Sequence, residues 1–327
     1  MKLLHLAFFV VGLAFLFLTI ANVGCNTIID GALQLGLWFW PMAAVNILWY
    51  AADALGWAGV LGRDNHFPGR TLRLVQAQVA GESINNATPL LNLGGEPVKG
   101  LLLKGLLNRK TIVSSLVVDN TIRYIATILF IAFGLALSLA TLDLTWHVQL
   151  ALVCLVVALG ALIGLAVAAQ KGGIFGTALA ICGRLGFFRK TIDRHLPAAQ
   201  GIDDEIVTFY NSRRRDFAIS LAWHLASRLI ATVDALLLLY LLGYPVGVLH
   251  ALFIQTVSVL LNLVFSFIPL QVGAAEGGHY ILFQMLGMDP AVGVVFSLVR
   301  RVRGLLWIAG GLLIVLIMSR RRLADAA

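Results

Sequence analysis

Apolar residues in this chain fall in long unbroken runs. They cover residues 3–24, 37–61, 124–140, 148–169, 229–243 and 304–318 with their flanks. A helix needs roughly 20 mostly apolar residues to cross a bilayer. The pattern predicts an all-α polytopic membrane protein with about six full spans. A membrane β-barrel would alternate apolar and polar residues, and these runs do not. The first run follows Lys2 like a signal peptide, but its core is longer than usual and more spans follow. A retained helix is expected. NVGC before Cys25 resembles a lipobox, but Asn22 fits it poorly, and lipidation is not expected.

Two stretches break the pattern of simple spans. Residues 72–107 read as helix to about Thr88, a break from Pro89 to Gly95, and helix to about Leu107. Each half is too short to cross, and basic residues lie at both ends. Residues 246–287 read the same way, with helix up to Pro269 and again over 275–287. The breaks are PLLNLGGE, Pro89 to Glu96, and PLQVGAAE, Pro269 to Glu276. Proline stops a helix, and small residues let two backbones approach. Both stretches are expected to be re-entrant hairpins, with tips at Pro89, Gly94 and Gly95 and at Pro269 and Gly273.

Charge fixes the orientation. The turns at 25–36, 141–147 and 243–247 carry no Lys or Arg, whereas 62–110 holds seven and 170–215 holds eight. The tail adds Arg320, Arg321 and Arg322. The positive-inside rule then places both termini and both long segments in the cytoplasm. The first hairpin dips from the inside and the second from the outside. Residues 37–140 and 216–318 become two units of an inverted repeat within one transmembrane domain, 1–327. Segment 170–215 becomes a cytoplasmic amphipathic connector, in which GRLGFFRKTIDRHL suits a membrane surface or a plain solvated linker. Asp203 is expected to N-cap a helix that continues through Arg213, Arg214 and Arg215 into the next span.

Composition agrees. Hydrophobic residues make up 60% of the chain and charged ones 12%, against about 25% charged in soluble domains. The net charge of +8 suits anionic lipid headgroups. Nucleic acid is a poor partner, because no soluble domain could carry a groove. Cys25, Cys154 and Cys182 have no metal spacing, and no metal or cofactor is expected.

Broken helices in matching places of two halves point to a transport site between them. Glu96 and Glu276 begin the two return arms, where an acid either caps the helix or lines a path. Arg123 lies within the span after the first hairpin, and Arg300, Arg301 and Arg303 within the span after the second. Each such charge costs roughly 2.5–3.5 kcal/mol even on a lenient insertion scale, so they cannot all face lipid. At about 100° per residue, Arg300 and Arg303 share a side and Arg301 points elsewhere. Arg123, Arg300 and Arg303 either pair with Glu96, Glu276 or Asp119, or clamp a phosphate. Glu96, Glu276, Arg123 and Arg300 are expected to form one polar cluster. Asn85, Asn86, Asn92, Asn262 and Lys99 are further candidates for the path, with Gln255 beside them; these amides either bind headgroup oxygens or hold helices together. Glu276 and His279 form a single E-x-x-H step, which is not a di-iron site. His224, Arg228 and Asp234 read as an interior polar patch. No Ser-His-Asp order, P-loop or G-x-G-x-x-G stands out.

The segments VAGESINNATPLLNLGGEPVKGLLLKG and IPLQVGAAEGGHYILFQMLGMDPAVGVVFSLVRRVRGLLWIAGGLLIVL resemble the flippase-like transmembrane domain of lysylphosphatidylglycerol synthases. The similarity is greatest to a stand-alone branch associated with hopanoid biosynthesis. It implies a bacterial inner-membrane protein that moves lipid or isoprenoid-linked headgroups between leaflets. The first motif falls on Asn85 through Lys99, the second on Pro269, Gly273 and Glu276, with Arg300 as the later arginine. VGAA replaces the usual glycine-rich turn before the glutamate, and the soluble aminoacyl-transfer domain is not in this sequence. The expected partners are lipids with anionic or phosphate-bearing headgroups, and lipid-biosynthesis enzymes are a second class. The rival readings are an intramembrane lipid-modifying enzyme using Glu96 or Glu276, and a membrane scaffold for biosynthetic enzymes.

Overall fold

The computed structural model describes residues 35–87, 94–141, 146–173, 175–177, 189–266, 268 and 271–325. Side chains at 87, 138–141, 148, 152, 189–195 and 319–325 are outside this description. So are the expected span 3–24 and the tip residues Pro89, Asn92 and Pro269.

The described chain is helical. After a single 3-10 turn, Gly36–Trp38, come α1 (Phe39–Leu61), α2 (Arg70–Ala87), α3 (Glu96–Leu103), α4 (Arg109–Thr141) and α5 (Trp146–Lys171). Next are α6 (Arg189–Ser212), α7 (Arg214–Leu241), α8 (Val248–Val264), α9 (Ala274–Met285) and α10 (Pro290–Asp325). Five stretches are long and apolar enough to cross a membrane: Gly36–Leu61, Arg109–Leu137, Gln149–Lys171, Arg214–Leu241 and Pro290–Met318. They match the expected spans after the first. Local sequence sets the ends. The Asn108 Oδ1 accepts the Thr111 N–H at 2.8 Å to start α4, and Asp289 accepts that of Ala291 at 2.9 Å to start α10. Gly62 closes α1 in the left-handed region, with φ 77°.

The shorter helices form the two hairpins, α2–α3 and α8–α9. In the first, the arms meet backbone to backbone. A side chain on Gly95 would collide with the Gly81 carbonyl, and one on Gly81 with the Lys99 stem. Each unit therefore reads span, hairpin, span: α1, α2–α3, α4, then α7, α8–α9, α10. The packing has the symmetry of an exchange between units. α2 packs on α10 as α8 packs on α4, and α1 and α7 pack on each other. Gly134 of α4 faces Thr256 of α8, and Gly311 of α10 faces Ser83 of α2. Along the α1–α7 seam, Gly56, Gly59 and Gly62 meet His224, Ser220 and Arg213 in turn, so these spans run antiparallel. Two equivalent spans running in opposite directions make the repeat inverted.

Two apolar clusters bracket a polar layer. One holds Met42, Phe130, Leu238, Ile254, Phe283 and Phe296, and the other Trp57, Leu74, Leu103, Ile122, Ile206 and Phe209. On each of the four repeat spans the change of cluster falls mid-helix at polar residues: Tyr50 and Asp53 on α1, Arg123 and Thr127 on α4, His224 and Arg228 on α7, Arg300 and Arg303 on α10. Outward-facing Leu129, Phe133, Leu150, Leu165, Leu229 and Leu316 stay exposed, as a lipid-facing surface requires. α5 has none of its apolar window buried.

The connector differs from expectation. Asp203 lies inside α6 and does not start it. Its carboxylate accepts the backbone N–H groups of Phe175 and Gly176, at 3.1 and 2.7 Å. Nor does the helix run on into the span. It breaks at Arg213, whose backbone leaves the helical region, and its side chain is held by Asp216 at 2.7 Å. Ile206 and Phe209 dock α6 onto the bundle, while Arg184 and its neighbours to Phe188 lie outside the described residues.

Candidate functional site

Two adjoining cavities occupy the polar layer. The first is lined by Asn46, Asn85, Ser297, Arg301 and Arg303 among others, and the second by Asp53, Glu82, Arg123, Thr127, Arg228 and Gln255 among others. Trp49, Tyr50, Asn86, Ser258, Asn262 and Arg300 line both, so the two cavities share a wall. Counting their mouths, they hold about 1060 and 970 Å³ of empty volume. The walls come from both hairpins and all four repeat spans.

The glutamates that open the return arms, Glu96 and Glu276, stand one layer behind this wall, each paired with an arginine that lines it. Glu96 accepts from Arg123 at 3.3 Å and from Lys99 at 3.1 Å. Arg123 also pairs with Glu82 and donates to Asn120, and Lys99, fully buried, reaches Glu82 at 3.5 Å. In the second unit Arg301 Nη2 sits astride the Glu276 carboxylate, at 2.7 and 2.8 Å from its oxygens, and donates to the Gln271 carbonyl at 3.0 Å. Glu276 has no exposed surface and accepts the Gly273 N–H at 2.9 Å, capping α9. Gly273 holds φ 79°, a conformation that suits glycine.

Three expectations change here. Glu276 pairs with Arg301, and not with Arg300 or Arg303. The helical phase had set Arg301 apart, and that phase aims it across the hairpin tip. Glu96, Arg123, Glu276 and Arg300 do not make one cluster of direct contacts. They make one acid–arginine pair per unit, with Arg300 left over. Neither Glu96 nor Glu276, nor Lys99, lines the two cavities, because each is taken up by its ion pair or its cap. Arg303 does line the first cavity, but it is committed too. It forks onto Asp234 at 2.6 and 2.5 Å and reaches the Met42 carbonyl at 3.4 Å.

That leaves two of the five arginines lining the cavities, Arg228 and Arg300, without a carboxylate within 4 Å among the described residues. Arg300 donates to Gln255 at 3.2 Å and lies over the Phe296 ring, 5.2 Å from its centre. Arg228 donates to Thr127 at 2.9 Å. Arg123 and Arg300 are positional equivalents, each eleven residues before the glycine that receives the other unit's hairpin. In the second unit the acid is handed to the next residue, Arg301, which frees Arg300 for the cavity. Asn85 gives its oxygen to the Gly95 N–H at 2.7 Å, and its buried amide N–H₂ has no partner among the described residues. Asn86 and Asn262 stand exposed at the shared mouth. Half-buried guanidinium groups without a carboxylate, beside a buried amide donor without an acceptor, form a site for an anion, and the planar fork suits phosphate.

Glu82, Asp53, Arg228 and Tyr50 were not singled out for this site by sequence. Glu82 and Asp53 fall in a hairpin arm and a span, so their depth alone could have marked them. His224 was placed in a polar patch, and it does sit in one. Its Nδ1 lies 2.9 Å from Asp53 and its Nε2 3.0 Å from Asp119.

A family model described as the lysylphosphatidylglycerol synthase TM region matches residues 3–322 of the chain. No curated protein sequence and no solved structure matches it.

Proposed function

The chain belongs to the lysylphosphatidylglycerol synthase TM-region family, and from that membership we propose that it is a flippase-like translocator of lipid headgroups across a bacterial inner membrane. One observation carries the reading. A polar cavity lies between two oppositely directed hairpins, and two of its arginines, Arg228 and Arg300, have no acidic partner among the described residues. Uncompensated cations at this depth cost several kcal/mol, which a bound phosphate would offset. The substrate class is therefore a lipid with a phosphate-bearing headgroup, and a hopanoid-linked lipid is the finer alternative.

An acid–base enzyme is less well supported. Its candidates, Glu96 and Glu276, are held by cations behind the cavity wall. The orientation that places both termini in the cytoplasm rests on the lysine and arginine bias of the loops.

The test is a lipid inventory of each leaflet with and without the protein, joined to a reconstituted assay with labelled phosphatidylglycerol. A translocator changes sidedness, an enzyme changes chemical identity, and a scaffold changes neither once its client enzymes are supplied. Unchanged sidedness in cells and in vesicles would overturn the proposal.

A further inference from the structure

His224 sits in the α1–α7 seam with a carboxylate on each ring nitrogen. Asp53 of α1 is 2.9 Å from Nδ1, and Asp119 of α4 is 3.0 Å from Nε2. The ring is 1% exposed and Asp119 is 2% exposed. Gly56 makes room for it, since a Cβ there would come within 2.8 Å of Nε2.

Both contacts are at hydrogen-bond length, so both need a hydrogen. A neutral imidazole has one N–H, and its second nitrogen would turn a lone pair toward a carboxylate oxygen. The trio must then hold two protons. It is either an imidazolium between two carboxylates or a neutral ring between a carboxylate and a carboxylic acid. Either way it carries one negative charge. Losing a proton would make one contact repulsive and leave two buried charges; gaining one would make the trio neutral.

The trio also lies between two open spaces. Asp53 lines the second cavity, beside Arg123 and Arg228. On the other side, Asp119 is one helical turn from Ser115, which accepts the Trp57 indole N–H at 3.1 Å. Ser115 lines a separate cavity at the basic end of the bundle, with Thr111, Ser114, Glu205 and Arg213. There Ser114 donates to Glu205 at 2.5 Å. Ser220, one turn before His224 and fully buried, has a hydroxyl with no partner among the described residues. A buried orphan hydroxyl is a ready stop for a proton or a water.

We propose that Asp53, His224 and Asp119 form a proton relay between the headgroup cavity and the basic end of the bundle, loaded when an anion occupies the cavity. The coupling rests on the lipid reading above; the relay itself does not. The charged groups against the His224 ring are Asp53 from α1 and Asp119 from α4; Asp53 in turn shares the second cavity with Arg123 of α4, Arg228 of α7 and Glu82 of α2. α8 brings only His250, near its far end, and α6 brings Glu205 across the basic-end cavity. Glu82 and Glu96 already engage Arg123. Arg228 is then the cation free to balance Asp53. An anion that takes Arg228 removes this balance, so its binding favours a further proton on the trio. By reciprocity, a proton on the trio tightens the anion.

Two measurements on the full-length protein in detergent test this. Infrared difference spectra from about pH 5 to about pH 9 read the relay alone. A carbonyl stretch from a protonated carboxylic acid, or imidazolium bands, should titrate, and should be lost in both Asp119→Asn and His224→Gln. Asp53→Asn, at the cavity edge, is the third variant should either buried one fail to fold. Spectra that titrate identically in wild type and folded variants would overturn the relay. The second measurement adds dihexanoyl phosphatidylglycerol to lightly buffered protein with a pH dye. Proton uptake on binding, absent in the variants, supports the coupling. Binding without proton uptake overturns the coupling and leaves the lipid reading standing. No binding at all overturns the lipid reading, and the infrared result then decides the relay by itself.

Discussion

Arg301 Nη2 lies 2.7 Å from Glu276 Oε1 and 2.8 Å from Oε2, with the same carboxylate capping α9 through the Gly273 N–H. One glutamate thus fixes the hairpin tip to the following span. Glu96 does the same in the first unit through Arg123. The pairs tie hairpin to span in each half, and the space between the halves is the cavity.

Breaking such a pair on one side leaves a buried charge. Glu276→Gln keeps one capping acceptor but strands Arg301, and should lower stability by about 3 kcal/mol. The double variant Glu276→Gln/Arg301→Gln should lose less than the sum of the two single changes. Thermal unfolding in detergent reads both. Additive losses would show that the two residues do not act as a pair.

Arg300 and Arg303 are three residues apart on one helix and should behave oppositely. Arg303 forks onto buried Asp234, so Arg303→Ala should cost about 3–5 kcal/mol of stability. Among the described residues Arg300 has only Gln255 and a ring face, so Arg300→Ala should fold normally while headgroup movement falls. Arg300→Lys keeps the charge and loses the planar fork, and should recover only part of the rate. Vesicle scrambling rates beside melting temperatures separate the two roles. Normal scrambling by folded Arg300→Ala would remove the arginine from the pathway.

The helices, both hairpins and the repeat were legible because each has a one-dimensional cause: apolar runs, proline breaks and uneven lysine and arginine. The identity of ion-pair partners was not, because it depends on rotation and depth. A shift from Arg300 to Arg301 is about 100° around the helix, and it decides which arginine meets Glu276. Asp203 was misplaced for a similar reason. N-cap chemistry was correct for its side chain, but the N–H groups it caps belong to another segment, 27 and 28 residues away. The antiparallel α1–α7 seam, and with it the His224 trio, brings together residues 105 and 171 positions apart, which no local pattern reports.

The glycines give a packing test. Gly95 abuts the Gly81 carbonyl and Gly56 the His224 ring, whereas Gly160 has nothing within 4 Å of its would-be side chain. Gly95→Ala and Gly56→Ala should each destabilise by about 1–3 kcal/mol, as overpacking does. Gly160→Ala should be neutral or slightly stabilising, since alanine is the better helix former by up to ~1 kcal/mol. Equal effects at all three would contradict the close approach of the arms and of the seam.

Topology is tested by accessibility. In a background with Cys25, Cys154 and Cys182 replaced, single cysteines at Asn108 and Met288 report on the ends of the two hairpins. Asn108 follows α3 and precedes α4, and Met288 follows α9 and precedes α10, so they are equivalent positions in the two units. Met288 is preferable to Gly287, whose φ of 69° a cysteine would strain. Antiparallel packing of α1 on α7 requires equivalent points to emerge on opposite sides of the membrane. The lysine and arginine bias assigns Asn108 to the cytoplasm and Met288 to the outside. A membrane-impermeant maleimide added to intact cells should therefore label Met288→Cys and spare Asn108→Cys until the membrane is opened. The reverse labelling would keep the inverted repeat and overturn only its orientation. Labelling of both from the same side would sink the repeat, and with it the placement of the cavity between two opposed hairpins.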